Sequence, residues 1–421
     1  MPESTPESTL AAGRRRPALV VLCLVQFMLV LDDTVVNVAL PSVRDELGFG
    51  AAGLAWVVNA YFLAFGGLLV LSGRTADLLG RRRVFLCGVA VFGLASLACG
   101  MAQEAWQLVV GRFAQGAGAA MAAPAALSLI TLLYPAPGER ARVLGVWGGI
   151  AAVGGTTGLV LSGALTSLAS WRWIFLINLP VAAVTLLVLP RLVPESRATR
   201  RPARVDLPGA VLGTGALLAL VYGVLEGAVL PLVLAAGLAI AFVVVEARSP
   251  HPLVPLSFVA DRTRAVAAVA TLLFSAAFFA MAFLLMLHVQ TVLGYGPFEA
   301  GLAYLPYGAG VLAGMWLSSR AVTRAGTRPT LVVAFLVAAA GLVLLAGVAP
   351  GDSYLAGVLP GMLVTSVGCG LALPALTVAA LSGTTGEDAG LGSAVFTSMQ
   401  QVGGAVGVAV LVVVAATAGF A

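Results

Sequence analysis

The chain alternates long apolar stretches with short polar ones, and this pattern leaves few folds open. Apolar stretches run at about residues 17–40, 52–73, 83–102, 107–133, 142–166, 172–192, 207–226 and 229–246. Five more follow at about 264–290, 300–319, 329–348, 354–381 and 391–417. A helix rises about 1.5 Å per residue, so stretches of this length cross about 30 Å of hydrocarbon. Inside a bilayer every backbone N–H and C=O needs a protein partner, which helices and closed barrels alone supply. With 10% charged and 60% hydrophobic residues, against about 25% charged in soluble domains, the sequence predicts an all-α polytopic membrane protein of thirteen spans.

The 23 basic side chains are all arginine. Without a lysine there is no P-loop and no pyridoxal Schiff base, so ATP is not the expected fuel. No cofactor is expected; a proton gradient as the energy source is suggested instead by the acids of the first span, described below. His251, His288, Cys23, Cys87, Cys99 and Cys369 lack paired metal spacing, which predicts no metal site and four buried, reduced thiols. Residues 1–16 end in Arg14-Arg15-Arg16, like a signal n-region. The stretch that follows is long, carries acids and lacks a small-residue cleavage site, so it reads as an uncleaved first helix. Alternating the loops places nearly every arginine on one side, leaving Arg44 and Arg172 opposite, which makes the N-terminus cytoplasmic.

An internal repeat organises the spans. Gly111–Pro124 (GRFAQGAGAAMAAP) aligns without gaps on Gly361–Pro374 (GMLVTSVGCGLALP), Val153–Gly158 on Val402–Gly407, and Arg74, Gly80 and Arg82 on Arg320, Gly326 and Arg328. Spans 2–5 thus recur as spans 10–13 in parallel orientation, with spans 7 and 8 inserted between two six-helix bundles. The expected division is a cytoplasmic tail (1–16), an N-terminal bundle (17–192), a cytoplasmic linker (193–206), two extra helices (207–246) and a C-terminal bundle (264–421) with five helices visible. A fourteenth helix would begin near residue 421, so the expectation is a truncated chain or a second half lacking the partner of span 6.

Asp32 and Asp33 lie within the first span, where an ionised acid near a helix centre costs about 2.5–3.5 kcal/mol. Such acids must face a protein interior or a wet cavity and are candidates for proton exchange. Gln26, Asp33 and Asn37 share one helical face, and Asp32 lies about 100° round from Asp33; both acids stay in play. Arg112, in the fourth span, sits at a depth comparable to Asp32, so the two can pair and couple a proton to helix movement. The alternative is an arginine snorkelling to the interface. Asn59 and Tyr61 are candidates to line a cavity from the second span. Glu226 is either a solvated cap or a second proton or cation site. His288 reads as a packing residue, and Gln290, near the outer end of span 9, is a further candidate to line the cavity together with Gln26 and Asn37. Span 5 is rich in glycine, including Gly154, Gly158 and Gly163, which permits close helix packing and sliding.

Gly73–Arg83 joins spans 2 and 3. In it Gly73 allows close contact, Gly80 turns the chain, and Asp77 can accept from Arg81 or a neighbouring helix N-terminus, forming a conformational latch. This G-x-x-x-D-x-x-G-R-R pattern resembles the signature loop of the major facilitator superfamily, and Leu108–Gly116 is similar to that superfamily's helix 4 motif, whose arginine is implicated in proton transfer. Asp32–Pro41 together with Trp171–Pro180 and the two inserted helices resembles the fourteen-helix drug:proton antiporter family (QacA/EmrB-like) from residue 17 onward. That resemblance implies the major facilitator fold, and proton coupling or cationic-drug binding at the position of Asp32. It also implies a frequent acid at Glu226, a matching position at Gln290, and an antiporter motif at Gly154, Gly158 and Gly163. The chain departs from the family where a Gly-Pro and a Gly-Gly are usual, reading Gly158-Leu159 and Ser162-Gly163, and 305–311 and 399–409 lack the acids of QacA-like pumps. Pro194–Arg197 is faintly similar to a sugar-porter motif, without the Gln and Asn clusters of a sugar site.

The function expected is a proton-coupled secondary transporter, not an enzyme, that exports hydrophobic or cationic drugs by alternating access in a bacterial cytoplasmic membrane. Its expected partners are the substrate, protons and the bilayer, with no nucleic acid and the chain a monomer. The alternatives are a major facilitator exporter of a specific metabolite, lipid or peptide, and a non-transporting membrane scaffold.

Overall fold

A computed structural model describes residues 12–196, 206–250, 252–349, 351–382 and 389–417. The tail residues 1–11, most of the expected linker (197–205, with Arg197 of the sugar-porter-like segment) and residue 421 lie outside the described residues. Among the described residues there are thirteen helices long and apolar enough to cross a membrane, and no strand. They are α1 (Ala12–Leu47), α2 (Ala51–Leu79), α3 (Arg81–Gly100), α4 (Ala105–Leu133), α5 (Pro137–Leu168) and α6 (Trp173–Leu192). After these come α7 (Leu207–Leu225), α8 (Val229–Arg248), α9 (Arg262–Val292), α10 (Pro297–Ala325), α11 (Thr327–Ala346), α12 (Tyr354–Ala380) and α13 (Ala389–Thr417).

Several helices outrun their apolar stretches because polar end residues continue the helix beyond the depth that must be apolar. Others are interrupted: α6 breaks at Ile177 between Trp173–Leu176 and Asn178–Leu192, α9 ends in a π turn at His288–Val292, and α12 opens with one at Tyr354–Val358. The two signature loops turn alike. Gly80, between α2 and α3, has φ +113°, and its repeat mate Gly326, between α10 and α11, has φ +87°, a region an L side chain resists.

The repeated glycines do the same work in both halves. A Cβ on Gly118 of α4 would stand 2.9 Å from Phe92 Cα of α3, and one on Gly368 of α12 would stand 2.7 Å from Ala338 Cα of α11. Backbone therefore packs on backbone, the association mode open to helices whose surroundings are as apolar as they are. The halves α1–α6 and α9–α13 meet along α2 with α13, where Ser398 Oγ donates to Gly66 O at 2.8 Å, and along α5 with α10. The inserted α7 packs on α2 and α13, and α8 lies outermost, the least buried of the spans. Cys23, Cys99 and Cys369 are buried free thiols as expected. Cys87 corrects that expectation, since it lies on the outward face of α3 and is exposed.

Gly118→Leu and Gly368→Leu should each push a helix pair apart and cost about 1–3 kcal/mol or more. Both variants are expected to melt at lower temperature in detergent, and melting equal to wild type would refute the backbone-contact account.

Candidate functional site

A cavity of about 770 Å³ lies between the halves. Gln26, Asp33, Thr34 and Asn37 of α1 and Tyr61 and Phe65 of α2 form one wall. The facing wall is aromatic and amide-bearing: Phe274, Phe278 and Phe279 of α9, Tyr304 and Tyr307 of α10, and Gln400 and Gln401 of α13. The cavity reaches Gly73, Arg74 and Asp77 at the end of α2 and Trp147 and Gly148 of α5. At the other end the halves close. A Cβ on Gly163 would stand 2.9 Å from Phe298 Cα, and one on Gly301 would stand 2.7 Å from Leu159 O. Phe298 N–H donates to Ser167 Oγ at 3.1 Å, and Gln290 Nε2 donates to Val38 O at 2.9 Å. Gln290 is thus a contact across the closed end and not part of the cavity wall.

The two adjacent acids have different surroundings. Asp33 faces the cavity, and its buried Oδ1 has no hydrogen-bond partner among the described residues. Asp32 points the other way, into the N-terminal bundle, and is fully buried. Its Oδ2 takes a bond from Arg112 Nη1 at 2.5 Å. Its Oδ1 takes bonds from Gln115 Nε2 at 3.0 Å and Asn178 Nδ2 at 2.9 Å. Arg112 also donates from Nε to Val57 O at 3.0 Å and from Nη1 to Gln115 Oε1 at 2.9 Å, with its Cζ 4.4 Å from the centre of the Tyr61 ring. Ser96 Oγ accepts from both amides. Arg112 is 1% exposed, so the snorkelling alternative is set aside.

The remaining predicted residues scatter. Asn59 is buried beside neither cavity nor partner: both its polar side-chain atoms lack hydrogen bonds among the described residues. Glu226 is exposed at the C-cap of α7, away from the cavity. Gly154 and Gly158 press α5 on α1, with Cβ positions 3.3 Å from Phe27 Cδ2 and 3.6 Å from Leu31 O, while Gly163 faces α10. The expected loop Gly73–Arg83 is instead helical up to Leu79 and from Arg81 on, with Gly80 alone as the turn, and Asp77 in the last turn of α2 accepts from Arg81 Nε at 3.0 Å. Glu195, which follows α6, accepts from the N–H groups of Arg82 at 3.1 Å and Arg83 at 3.2 Å, an anion at the N-terminus of α3. Sequence reasoning missed Glu195 as a cap, and missed Ser96, Gln115, Asn178, Gln400 and Gln401 as site residues. For Ser96, Gln115 and Asn178 the available signal was a lone polar side chain inside an apolar span, and for Gln400 and Gln401 a pair of adjacent amides there.

A profile of the Major Facilitator Superfamily matches residues 22–408. The chain belongs to this superfamily. Like its other members, this major facilitator is a transporter and not an enzyme. It is 42% identical over 409 residues to the puromycin resistance protein of Streptomyces alboniger, covering 94% of this chain and 81% of the relative. It is 39% identical over 411 residues to the cephamycin export protein of Amycolatopsis lactamdurans, covering 94% and 84%. The fold is that of the crystal structure of the human organic anion transporter MFSD10, with TM-score 0.66 at 18% identity over 99% of this chain and 95% of that one.

A buried ion pair that loses one partner is destabilised by about 3–5 kcal/mol. Arg112→Leu should therefore sharply reduce the folded, monodisperse yield in size-exclusion chromatography, and adding Asp32→Asn should recover part of it. A double variant no better than Arg112→Leu alone would sink the pairing argument.

Proposed function

We propose that this major facilitator exports hydrophobic, cationic drugs in exchange for protons, with Asp33 as the acid that alternates between proton and substrate. The observation that carries this reading is the Asp33 Oδ1, without a hydrogen-bond partner among the described residues, at a cavity whose opposite wall holds Phe274, Phe278, Phe279, Tyr304 and Tyr307. An amphipathic cation gains from both walls: aromatic faces attract it by dispersion and cation–π contact, and the carboxylate neutralises it. Two relatives named for puromycin resistance and cephamycin export support drug export as the task.

Export follows from exchange at that acid. The end of the cavity reached by Arg74 and Asp77 is assigned to the cytoplasm, because the arginine-rich loops lie on that side. A cation entering there meets Asp33 as the carboxylate. Rocking of the two halves then opens the end now closed by Gly163 and Gly301, and a proton arriving from outside displaces the cation. The Asp32–Arg112 pair holds α1 to α4 throughout the cycle. One chain supplies both halves and the whole cavity, so a monomer in the bacterial cytoplasmic membrane suffices, with its N-terminus in the cytoplasm. The latch of Asp77 and Arg81, with Gly73 and Gly80, stabilises this arrangement of the α2–α3 end.

Inverted vesicles given a pH gradient are expected to accumulate ethidium, and Asp33→Asn is expected to lower the gradient-driven rate by about tenfold or more, the cost of about 1.4 kcal/mol in transport free energy. Wild-type vesicles that ignore ethidium and other lipophilic cations would overturn drug export. Uptake that survives Asp33→Asn would remove this acid from the cycle.

A further inference from the structure

Four carboxamides stand on the cavity wall, Gln26 and Asn37 of α1 and Gln400 and Gln401 of α13. Their side chains make no hydrogen bond to another described residue. Gln115, Asn178 and Gln290, by contrast, are each committed to a protein partner. Asn37 is 9% exposed and Gln401 4%, so the contents of the cavity are what these two can bond.

Their placement follows from the helices. Asn37 comes four residues after Asp33 and Gln26 seven before it, on one face of α1, so amides stand about 6 Å and about 10 Å from the acid along the helix. On the facing side α13 presses on α2 at Gly66, where a notional Cβ would stand 2.9 Å from Gln401 Cβ. One turn on, a Cβ at Gly404 would stand 2.8 Å from Phe279 Cδ2. The Phe279 ring lies 4.7 Å from that of Phe62 and 5.0 Å from that of Phe278. Gln401 is therefore a single helical turn from the aromatic wall, and tertiary packing gathers amides that lie far apart in sequence.

We propose that the cavity selects amines that carry amide or hydroxyl groups beside an aromatic ring, with Asn37 and Gln401 as specificity-determining residues. This deepens the exporter reading and rests on it for the direction of transport. Such a molecule meets the wall group by group: its ammonium at Asp33, its ring against Phe278 and Phe279, its hydrogen-bonding groups at Asn37 and Gln401. A carboxamide both donates and accepts, so hydroxyls and amides are equally served. A cation clothed only in hydrocarbon gains the acid and the rings, but it takes water from the amides and returns no hydrogen bond. Each polar group stranded in that way costs about tenfold in affinity. A site built for hydrogen bonds thus rejects an analogue without them more sharply than it rejects a change of apolar size.

Two competitors of gradient-driven ethidium uptake into inverted vesicles test this. Puromycin is an aromatic amine with an amide and hydroxyls, whereas tetraphenylphosphonium is a cation with no hydrogen-bonding group. In wild type, puromycin is expected to half-inhibit at the lower concentration. Asn37→Leu and Gln401→Met keep the size of each side chain and remove its amide. Each is expected to raise the half-inhibiting concentration of puromycin about tenfold relative to that of tetraphenylphosphonium. A packing defect moves both competitors by one factor, so an unchanged ratio overturns the proposal, as does a wild type more sensitive to tetraphenylphosphonium. The two residues stand on different helices, so one folded variant suffices, and the wild-type comparison decides if neither folds.

Thermal stabilisation of the purified protein in detergent reads binding without transport. Puromycin is expected to stabilise wild type more than tetraphenylphosphonium does, and the difference is expected to shrink in either variant. If vesicles move no ethidium while this pattern holds, the exporter reading fails and the recognition claim stands. If ethidium moves and the two competitors act alike, export stands and the recognition claim falls.

Discussion

A guanidinium 1% exposed inside a bundle of apolar helices survives only if an anion meets it. Asp32 meets Arg112 at 2.5 Å, and the pair with its amide partners links four helices of the N-terminal half to α1. Through Val57 O it reaches α2, through Ser96 it reaches α3, through Gln115 it is tied along α4, and through Asn178 it reaches α6. Desolvating two charges is expensive, and hydrogen bonds on every remaining face are what make such a pair tolerable. The ion pair and its amide partners therefore stand or fall as one unit, and they favour the N-terminal half moving as a single body.

Within each half the helices lack a hydrophobic drive toward one another, because their alternative neighbours are equally apolar. Close approach at glycine supplies the dispersion contact instead. The repeat put Gly118 and Gly368 at matching points, and each brings its helix against a backbone. Between halves the same device joins α5 to α10 at one end of α5. Gly163 and Gly301 let α5 and α10 meet there, while Gly145 and Gly149, nearer the other end of α5, have nothing within 4 Å of a notional Cβ. A helix that binds its partner half at one end and stands clear at the other is a natural element for rocking about a central cavity.

The neighbouring acids illustrate how a turn of about 100° per residue separates roles. One step along α1 takes the side chain from a bonded, enclosed position among α3, α4 and α6 to the wall of a cavity shared with the other half. Asp32 is bonded within the N-terminal half, whereas Asp33 stands on the cavity wall with Gln26 and Asn37, which share its helical face.

The sequence by itself determined the class of the molecule. Apolar length, the shortage of charge and the arginine distribution dictate spanning helices, and the repeat of Gly111–Pro124 in Gly361–Pro374 dictates two related halves, because these are local or periodic properties of the chain. Periodicity also put Gln26, Asp33 and Asn37 on one face, where the structure has them on the cavity wall. It fixed only the angle of Asp33 relative to Asp32. Which acid faced the cavity depended on how α1 was rotated against α4 and α5, a matter of contacts between residues 80 or more apart in sequence, such as Arg112 with Asp32. The same holds for Glu195 at the N-terminus of α3, for Asn178 on Asp32, for Gln290 at the closed end and for Glu226 left in solvent. Hydrogen bonds between distant side chains have no period to read, so only the packed tertiary structure decided them.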